Sequence, residues 1–348
     1  MEFNVGISGA TGVTGEVTLR ILEEREFPVA GLRLFASRSS AGRTIRWKGC
    51  DYTVEALEDG HFAGLDLVIS ATSAAIAREW APRMVDAGAI VIDQSSAFRL
   101  DPSVPLVVPE INGADLDGHQ GTIAGPNCTT AVAVMAVAPL HAAFGVKSVI
   151  SSSYQAISGK GRDGMREFLD MSARAVTQAE GLRGHEPLDL EEPVQFPHVP
   201  AFNLFPQCES FRTGEDTSTE EEKMQAELRK MLHAPDLAVH ATAVRVPVLV
   251  GHTVSLTVSL NRPATPEEAR ATFESFPGVR VLDEPWAGSY PTPLAAAGID
   301  DVLVGRVRTV PFVENGLSLF ASGDNLRKGN ALNAIQVAER VLGISSTG

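Results

Sequence analysis

Cys128 stands in Gly125-Pro126-Asn127-Cys128-Thr129-Thr130, with a short apolar segment ahead and an apolar helix predicted from Thr129 to Phe144 behind. A cysteine at the first turn of a helix meets the positive end of the dipole, which favours the nucleophilic thiolate. A buried cysteine is just as readily a small hydrophobe. The residues alone leave both readings open. Cys50 and Cys208 lack such a setting and read as structural. His252 lies in Arg245-Val246-Pro247-Val248-Leu249-Val250-Gly251-His252-Thr253-Val254. A histidine in a strand is ordinarily a satisfied core or surface residue, and the alternative is a proton-transfer group. Arg245 precedes it by an odd number of positions, which in an unbroken strand puts the two on opposite faces. Pro247 and Gly251 can break that period, so a shared pocket requires the backbone to bend between them. Arg99, in Asp93-Gln94-Ser95-Ser96-Ala97-Phe98-Arg99, and Lys223 carry little signal by themselves. The run Glu220-Glu221-Glu222 reads first as a solvated helix start, where acids suit the dipole. No metal site is assigned.

Gly9-Ala10-Thr11-Gly12-Val13-Thr14-Gly15 follows one predicted strand and opens a helix. Its spacing is GxxGxxG, not the GxGxxG of the standard fingerprint. A glycine triplet alone is a tight turn. Between strand and helix, near the start of the chain, it reads as a dinucleotide phosphate seat, since backbone amides at a helix N-terminus bind phosphate. After the second predicted strand an acid would hold the ribose 2′-OH of NAD. The chain instead has Ser37-Arg38-Ser39-Ser40-Ala41-Gly42-Arg43. Hydroxyls and arginines there suit a 2′-phosphate, so the expected cofactor is NADP, the bland alternative being a solvated loop.

These groups need a scaffold, and the pattern predicts an α/β protein. Phe3–Ser8, Gly31–Ala36, Leu65–Ser70 and Ala89–Asp93 read as short buried strands, with Leu106–Val108 a fifth and a helix over Glu16–Glu24. Such alternation predicts a Rossmann-like, doubly wound parallel sheet. After about residue 145 the strands lengthen (147–156, 239–261, 303–311, 316–321) and helices are expected at 164–178 and 220–232. That is an α+β domain with a mostly antiparallel sheet. The expected domains are 1–128 with 325–348 for NADP, and 129–324 for catalysis and dimerisation. A helix over 330–342 is expected to return to the first domain. Residues 181–218 show no period and hold Phe196, Phe202, Phe205 and Phe211, which predicts a homodimer whose contact this region and the second-domain sheet both contribute to. The 348 residues are 44% hydrophobic and carry a net charge of −14. That excludes disorder over most of the length and argues against nucleic-acid or anionic membrane partners. Three cysteines exclude a disulfide scaffold. No basic, apolar leader pattern is visible, so a cytoplasmic location is expected.

In order, these segments resemble the aspartate-β-semialdehyde dehydrogenase family. The matching stretches are Gly6 to Gly12, Val108-Pro109-Glu110-Ile111-Asn112, Gly125 to Thr130, Ser153 to Gly159, Arg245 to Leu256 and Asp324 to Gly329. The resemblance implies NADPH-dependent reductive dephosphorylation of β-aspartyl phosphate through a cysteine thioacyl intermediate, in biosynthesis of lysine by way of diaminopimelate, and of methionine, threonine and isoleucine. It makes Cys128 the nucleophile, His252 the acid/base and Gln155 an orienting group. Arg245 and Glu220 would hold the substrate's α-carboxylate and α-amino groups. Arg99, Asn127 and Lys223 would hold the phosphate. Gly9, Thr11, Gly12, Val13, Thr14, Arg38, Ser39, Ser40, Ser158, Gly159 and Asn325 would contact NADP.

Three other readings compete with this one. N-acetylglutamyl-phosphate reductase shares the chemistry, but an acetylated amine does not call for an acid such as Glu220. A non-catalytic NADP-binding paralogue would be expected to lack Cys128 or His252. A phosphorylating sugar-aldehyde dehydrogenase would place an NAD-selecting acid where Ser37–Ser40 stand.

Overall fold

The buried apolar runs of the N-terminal third pair side by side, as strands covered on both faces must. The computed structural model describes residues 1–184 and 186–344. They form two units: Met1–Val134, Ala226–Asp236 and the chain from Leu326, then Met135–Gln225 with Leu237–Asn325. The return of Ala226–Asp236 to the first unit has no sign in the sequence.

The first unit is built on β1 (Phe3–Ser8), β2 (Val29–Ala36), β3 (Thr44–Trp47), β4 (Cys50–Ala56), β5 (Leu67–Ser70), β6 (Ile90–Asp93) and β7 (Thr122–Ala124), in the order β3-β4-β2-β1-β5-β6-β7. Every pairing is parallel except that of β3 with β4. The order reverses at β1, so the crevice beyond its C-terminal end is the switch point where doubly wound sheets bind ligands. Two sequence expectations change here. Residues 44–56 form a hairpin that the sequence reading passes over. Its turn is Lys48-Gly49, both at positive φ, the hairpin turn for which Asn-Gly is the stronger signal. Leu106–Val108 is not a strand: Leu106 makes one isolated bridge to Ala124, and β7 takes the edge.

The chain's last helix, Leu332–Val341, buries Leu332, Ala334, Ile335, Val337 and Ala338 in the same cluster as Phe3, Val5, Ile7 and Leu22. It therefore packs on the dinucleotide-type sheet as expected. Glu339 fixes it by a two-pronged bond with Arg25, at 2.6 and 2.8 Å.

The second unit contains β8 (Val146–Gln155), β9 (Ala238–Arg245), β10 (His252–Leu260), β11 (Val279–Val281), β12 (Val302–Thr309) and β13 (Gly316–Gly323), ordered β11-β12-β13-β10-β8-β9. The three inner pairings are antiparallel and the two outer ones parallel. Helix Gly161–Thr177 belongs to this unit, as does helix Pro266–Glu274, which opens on a capping box from Thr265 and Glu268. Apart from the short helix Ala179–Arg183, the described part of 181–218 is largely irregular. Its four phenylalanines divide. Phe196 and Phe205 pack with Ile157 inside the unit, and only Phe202 and Phe211 are exposed. The expectation that all four serve a contact surface fails, because two close their own loop onto the core.

Candidate active site

The glycine loop meets the demands of its turn in distances. Gly9 has φ +86°, and a Cβ there would lie 2.4 Å from the Ala71 carbonyl oxygen. A Cβ on Gly15 would lie 2.6 Å from the Gly9 oxygen. Gly12 caps helix Val13–Glu24, whose first-turn N–H groups have no intrahelical acceptor. Those of Val13 and Thr14 are groups of the kind that can receive a phosphate. Beside the loop lies a cavity of about 390 Å³. Thr11, Ser37, Arg38, Thr72, Ile76 and Trp80 are among the residues that line it. Arg38 is exposed and reaches Glu58 at 3.7 Å, while the Ser37 and Ser39 hydroxyls bond each other at 2.9 Å. The glycine cradle, the helix start and the adjoining cavity fit a dinucleotide.

Cys128 is the first residue of helix Cys128–Phe144 and is partly exposed. The Asn127 side chain caps this helix: its Oδ1 accepts the N–H groups of Thr129 at 2.9 Å and Thr130 at 3.1 Å. The thiol is thereby set at the positive end of the dipole. Arg99 is buried alongside. Its Nε donates to the Gly125 carbonyl at 2.9 Å, Nη2 to the Gln94 carbonyl at 2.8 Å and Nη1 to Glu227 at 3.2 Å. Gln94 is buried, and its amide oxygen and nitrogen both lack a partner among the described residues. A Cβ on Gly125 would sit 2.4 Å from that oxygen, so the amide lies against the cysteine turn.

In the second unit, strand ends assemble a set of their own. β9 runs parallel to β8 and β10 antiparallel, so Gln155, Arg245 and His252 arrive at the same end of the sheet. β13 also ends there, delivering Asn325 just beyond Gly323. The period conflict between Arg245 and His252 disappears because the strand breaks between them. Val246–Gly251 crosses from β9 to β10, and Gly251 turns at φ +97°. A Cβ on Gly159 would lie 3.2 Å from Arg245 Nη1 and 3.6 Å from His252 Nε2. Thus both side chains serve one place, under a glycine. Arg245 Nη1 donates to the Ala156 carbonyl.

His252 is fully buried, and its Nδ1 accepts the Ala156 N–H at 3.0 Å. The neutral ring therefore carries its proton on Nε2. Burial first, and then the Arg245 charge, push the imidazole well below its ordinary pKa. The Gln155 amide donates to Glu220 at 3.1 Å, and Lys223 lies 3.6 Å from Glu220. Glu220 is buried, so it is no solvated helix start. Asn325 Oδ1 accepts the Gly251 N–H at 2.9 Å and its amide bonds Ser158, which ties the turn before His252.

Each unit thus holds a coherent set. The first has Gly9 to Thr14, Arg38 to Ser40, Arg99, Asn127 and Cys128. The second has Gln155, Ser158, Gly159, Glu220, Lys223, Arg245, His252 and Asn325. Sequence reasoning missed Glu227 and Gln94. Glu227 sits in a polar helix where it resembles any surface acid, and Gln94 follows a buried strand with no motif of its own. Among the described residues no group of three or more His, Cys, Asp and Glu could hold a metal. Nor, among those residues, is any helix long and apolar enough to cross a membrane.

Residues 4–119 match the family described as semialdehyde dehydrogenase, NAD binding domain, and residues 137–328 match its dimerisation domain. An aspartate-semialdehyde dehydrogenase of Aquifex aeolicus is 42% identical over 343 residues, 97% of this chain and 98% of that one. One from Mycolicibacterium smegmatis is 42% identical over 345 residues, with the same coverage. Among solved structures, aspartate semialdehyde dehydrogenase II of Vibrio cholerae complexed with ASA superposes with a TM-score of 0.90 at 35% identity, covering 99% of each chain.

Proposed function

The chain belongs to the aspartate-semialdehyde dehydrogenase family of enzymes, and from that premise we propose that it reduces β-aspartyl phosphate to aspartate β-semialdehyde with NADPH, through a thioacyl bond to Cys128. The observation that carries this is the pairing of Arg245 and His252 under Gly159, in a chain whose one capped, partly exposed cysteine opens a helix.

Cys128 attacks the acyl carbon. A C–S bond forms, the C–O bond to phosphorus breaks and inorganic phosphate leaves, its charge met by Arg99 and Lys223. Arg245 grips the α-carboxylate, where a planar fork sets orientation as well as charge. Glu220 takes the α-ammonium group, and Gln155, bonded to it at 3.1 Å, orients the acyl oxygen. NADPH, when bound along Gly9 to Thr14, Ser158, Gly159 and Asn325, supplies the hydride that reduces the thioester. His252 then shares its Nε2 proton with the oxyanion and recovers it when the C–S bond breaks and thiolate departs. A neutral imidazole held as a donor is suited to this, since no proton must first be removed from it.

NADP rather than NAD rests on the loop after β2. Among the described residues Arg38 is engaged only in an exposed pair with Glu58, an interaction of little net worth, so a 2′-phosphate can take its place with Ser39 and Ser40. The product would feed lysine (diaminopimelate), methionine, threonine and isoleucine biosynthesis. The domain assignment proposed is 1–128 with 325–348 for NADP and 129–324 for catalysis and dimerisation. A cytoplasmic homodimer is proposed, with the outer face of β8, β10 and β13 as its contact. There Ile150 and Tyr154 are exposed and Tyr154 lies 6.0 Å from Phe320, centroid to centroid.

The test is the reverse assay. Aspartate semialdehyde, phosphate and NADP should give a rise in nicotinamide absorbance that depends on all three. N-acetylglutamate semialdehyde reacting in preference would overturn the proposal.

A further inference from the structure

Glu227 is almost fully buried, 1% exposed, on the face of helix Thr219–Met231 that also buries Met224, Leu228 and Met231. Its two carboxylate oxygens divide their work. Oε1 accepts from Arg99 Nη1 at 3.2 Å. Oε2 accepts the backbone N–H of Asn127 at 2.7 Å. In a capping box that N–H would be accepted by Glu or Gln at the third helical position. Here that position is Thr130, too short for the task, and a carboxylate from a hundred residues later in the chain takes it. Arg99 meanwhile holds the Gly125 carbonyl. Pro126, between the two, has no N–H to give. One ion pair therefore clamps both sides of the turn that presents Cys128.

We infer that Glu227 is a positioning residue for the phosphate step, fixing the Arg99 guanidinium and the Asn127–Cys128 turn as a single piece. Arg99 spends three of its five N–H donors on the protein, and the remaining two are aimed by those three. A buried ion pair is a poor source of stability, since well-packed apolar residues usually serve as well. Its use is geometric: donors held in place before an anion arrives cost nothing to organise during the reaction. The role ascribed to Glu227 rests on the proposed phosphate contact of Arg99.

The test is the reverse assay with phosphate and aspartate semialdehyde varied separately in Arg99→Gln, Glu227→Gln and the double variant. Glu227→Gln keeps an acceptor for Asn127 but offers Arg99 an amide in place of a charge. KM for phosphate should rise about tenfold, the scale of a lost charge-assisted hydrogen bond. KM for the semialdehyde should stay within about twofold, because its binding groups are untouched. The double variant should be no worse toward phosphate than Arg99→Gln alone. If Arg99→Gln leaves phosphate KM unchanged, the phosphate contact itself is wrong. If Arg99→Gln raises it and Glu227→Gln does not, or if the two effects multiply, the inference about Glu227 is overturned. An equal loss in both KM values together with a lowered melting temperature would mark Glu227 as merely structural. Should Glu227→Gln fail to fold, Glu227→Asp, which keeps the charge and shortens the reach, must show the same split between the two substrates.

Discussion

Cys128 and His252 make opposite demands on their surroundings, and the fold meets each separately. The thiol is partly exposed at a capped helix start, while the imidazole is sealed, neutral and pinned at Nδ1. Cys128→Ala should abolish turnover and leave NADPH binding within about twofold by fluorescence titration, the signature of a group used only in the chemical step. His252→Asn should lower kcat by about 10²–10⁴, the usual span for a positioned proton-transfer group, with a smaller effect on KM. Arg245→Lys should raise KM as well as lower kcat, since charge survives but the two-pronged grip does not.

The buried imidazole also predicts a pH effect on stability. In the unfolded chain His252 titrates near the ordinary value of about 6.5, and in the fold well below it. Below about pH 6.5 the unfolded state binds a proton that the folded state refuses, so stability falls as pH drops toward the folded pKa. At neutral pH and above, neither state is charged and the term vanishes. His252→Asn should flatten this acid limb. Urea midpoints that fall equally steeply in both proteins between about pH 7 and 5.5 would contradict it.

Among the elements, the proposed cofactor choice rests on the loop after β2 and the proposed cofactor seating on the glycine turn after β1. Arg38→Asp should weaken NADPH far more than NADH, because a like charge would meet the 2′-phosphate. Equal losses for both would show that Arg38 faces elsewhere and leave Ser39 and Ser40 as the selecting groups. Gly9→Ala is a different kind of lesion. Its Cβ would fall 2.4 Å from a backbone oxygen, at a φ of +86°, so the turn itself must move. It should impair both cofactors alike and lower the melting temperature. At the other strand ends, Gly251 and Asn325 hold the crossing from β9 to β10, without which Arg245 and His252 would face apart.

For the whole molecule, the second unit's sheet has one face that is left with Ile150, Tyr154 and Phe320 outward. Aromatic and aliphatic side chains gathered on a sheet face mark an association surface. Light scattering at micromolar concentration should give twice the chain mass, and Ile150→Glu should shift it toward one. A wild-type chain that runs as a monomer would remove the dimer, and Phe202 and Phe211 would then need another explanation.

The sequence by itself carried the parts that depend on short-range geometry. A glycine turn between strand and helix, an Asn-Cys helix start and the absence of an acid after β2 are local patterns, and a few neighbouring residues define each. It also located β1, β2, β5, β6, β8, β12 and β13 to within a few residues, and the run 239–261 that holds β9 and β10, because buried and half-buried strands have distinct periods, but β7 and β11, three residues each, escaped it. It missed the hairpin over 44–56, whose strands are short and charged and whose turn is Lys-Gly. It also placed a strand at 106–108, where an apolar run lines an edge without extending it. Partnership at a distance came from the three-dimensional fold alone. No spacing reveals that Glu227 completes the cap of a helix that begins at Cys128, that Phe196 and Phe205 face inward while Phe202 does not, or that Gln155, Arg245 and His252 end on one edge. Those relations follow from the strand order β13-β10-β8-β9 and from where the chain turns back. Hydrophobic pattern fixes which face of a strand is buried, but many strand orders bury the same faces, and only one brings these four ends together.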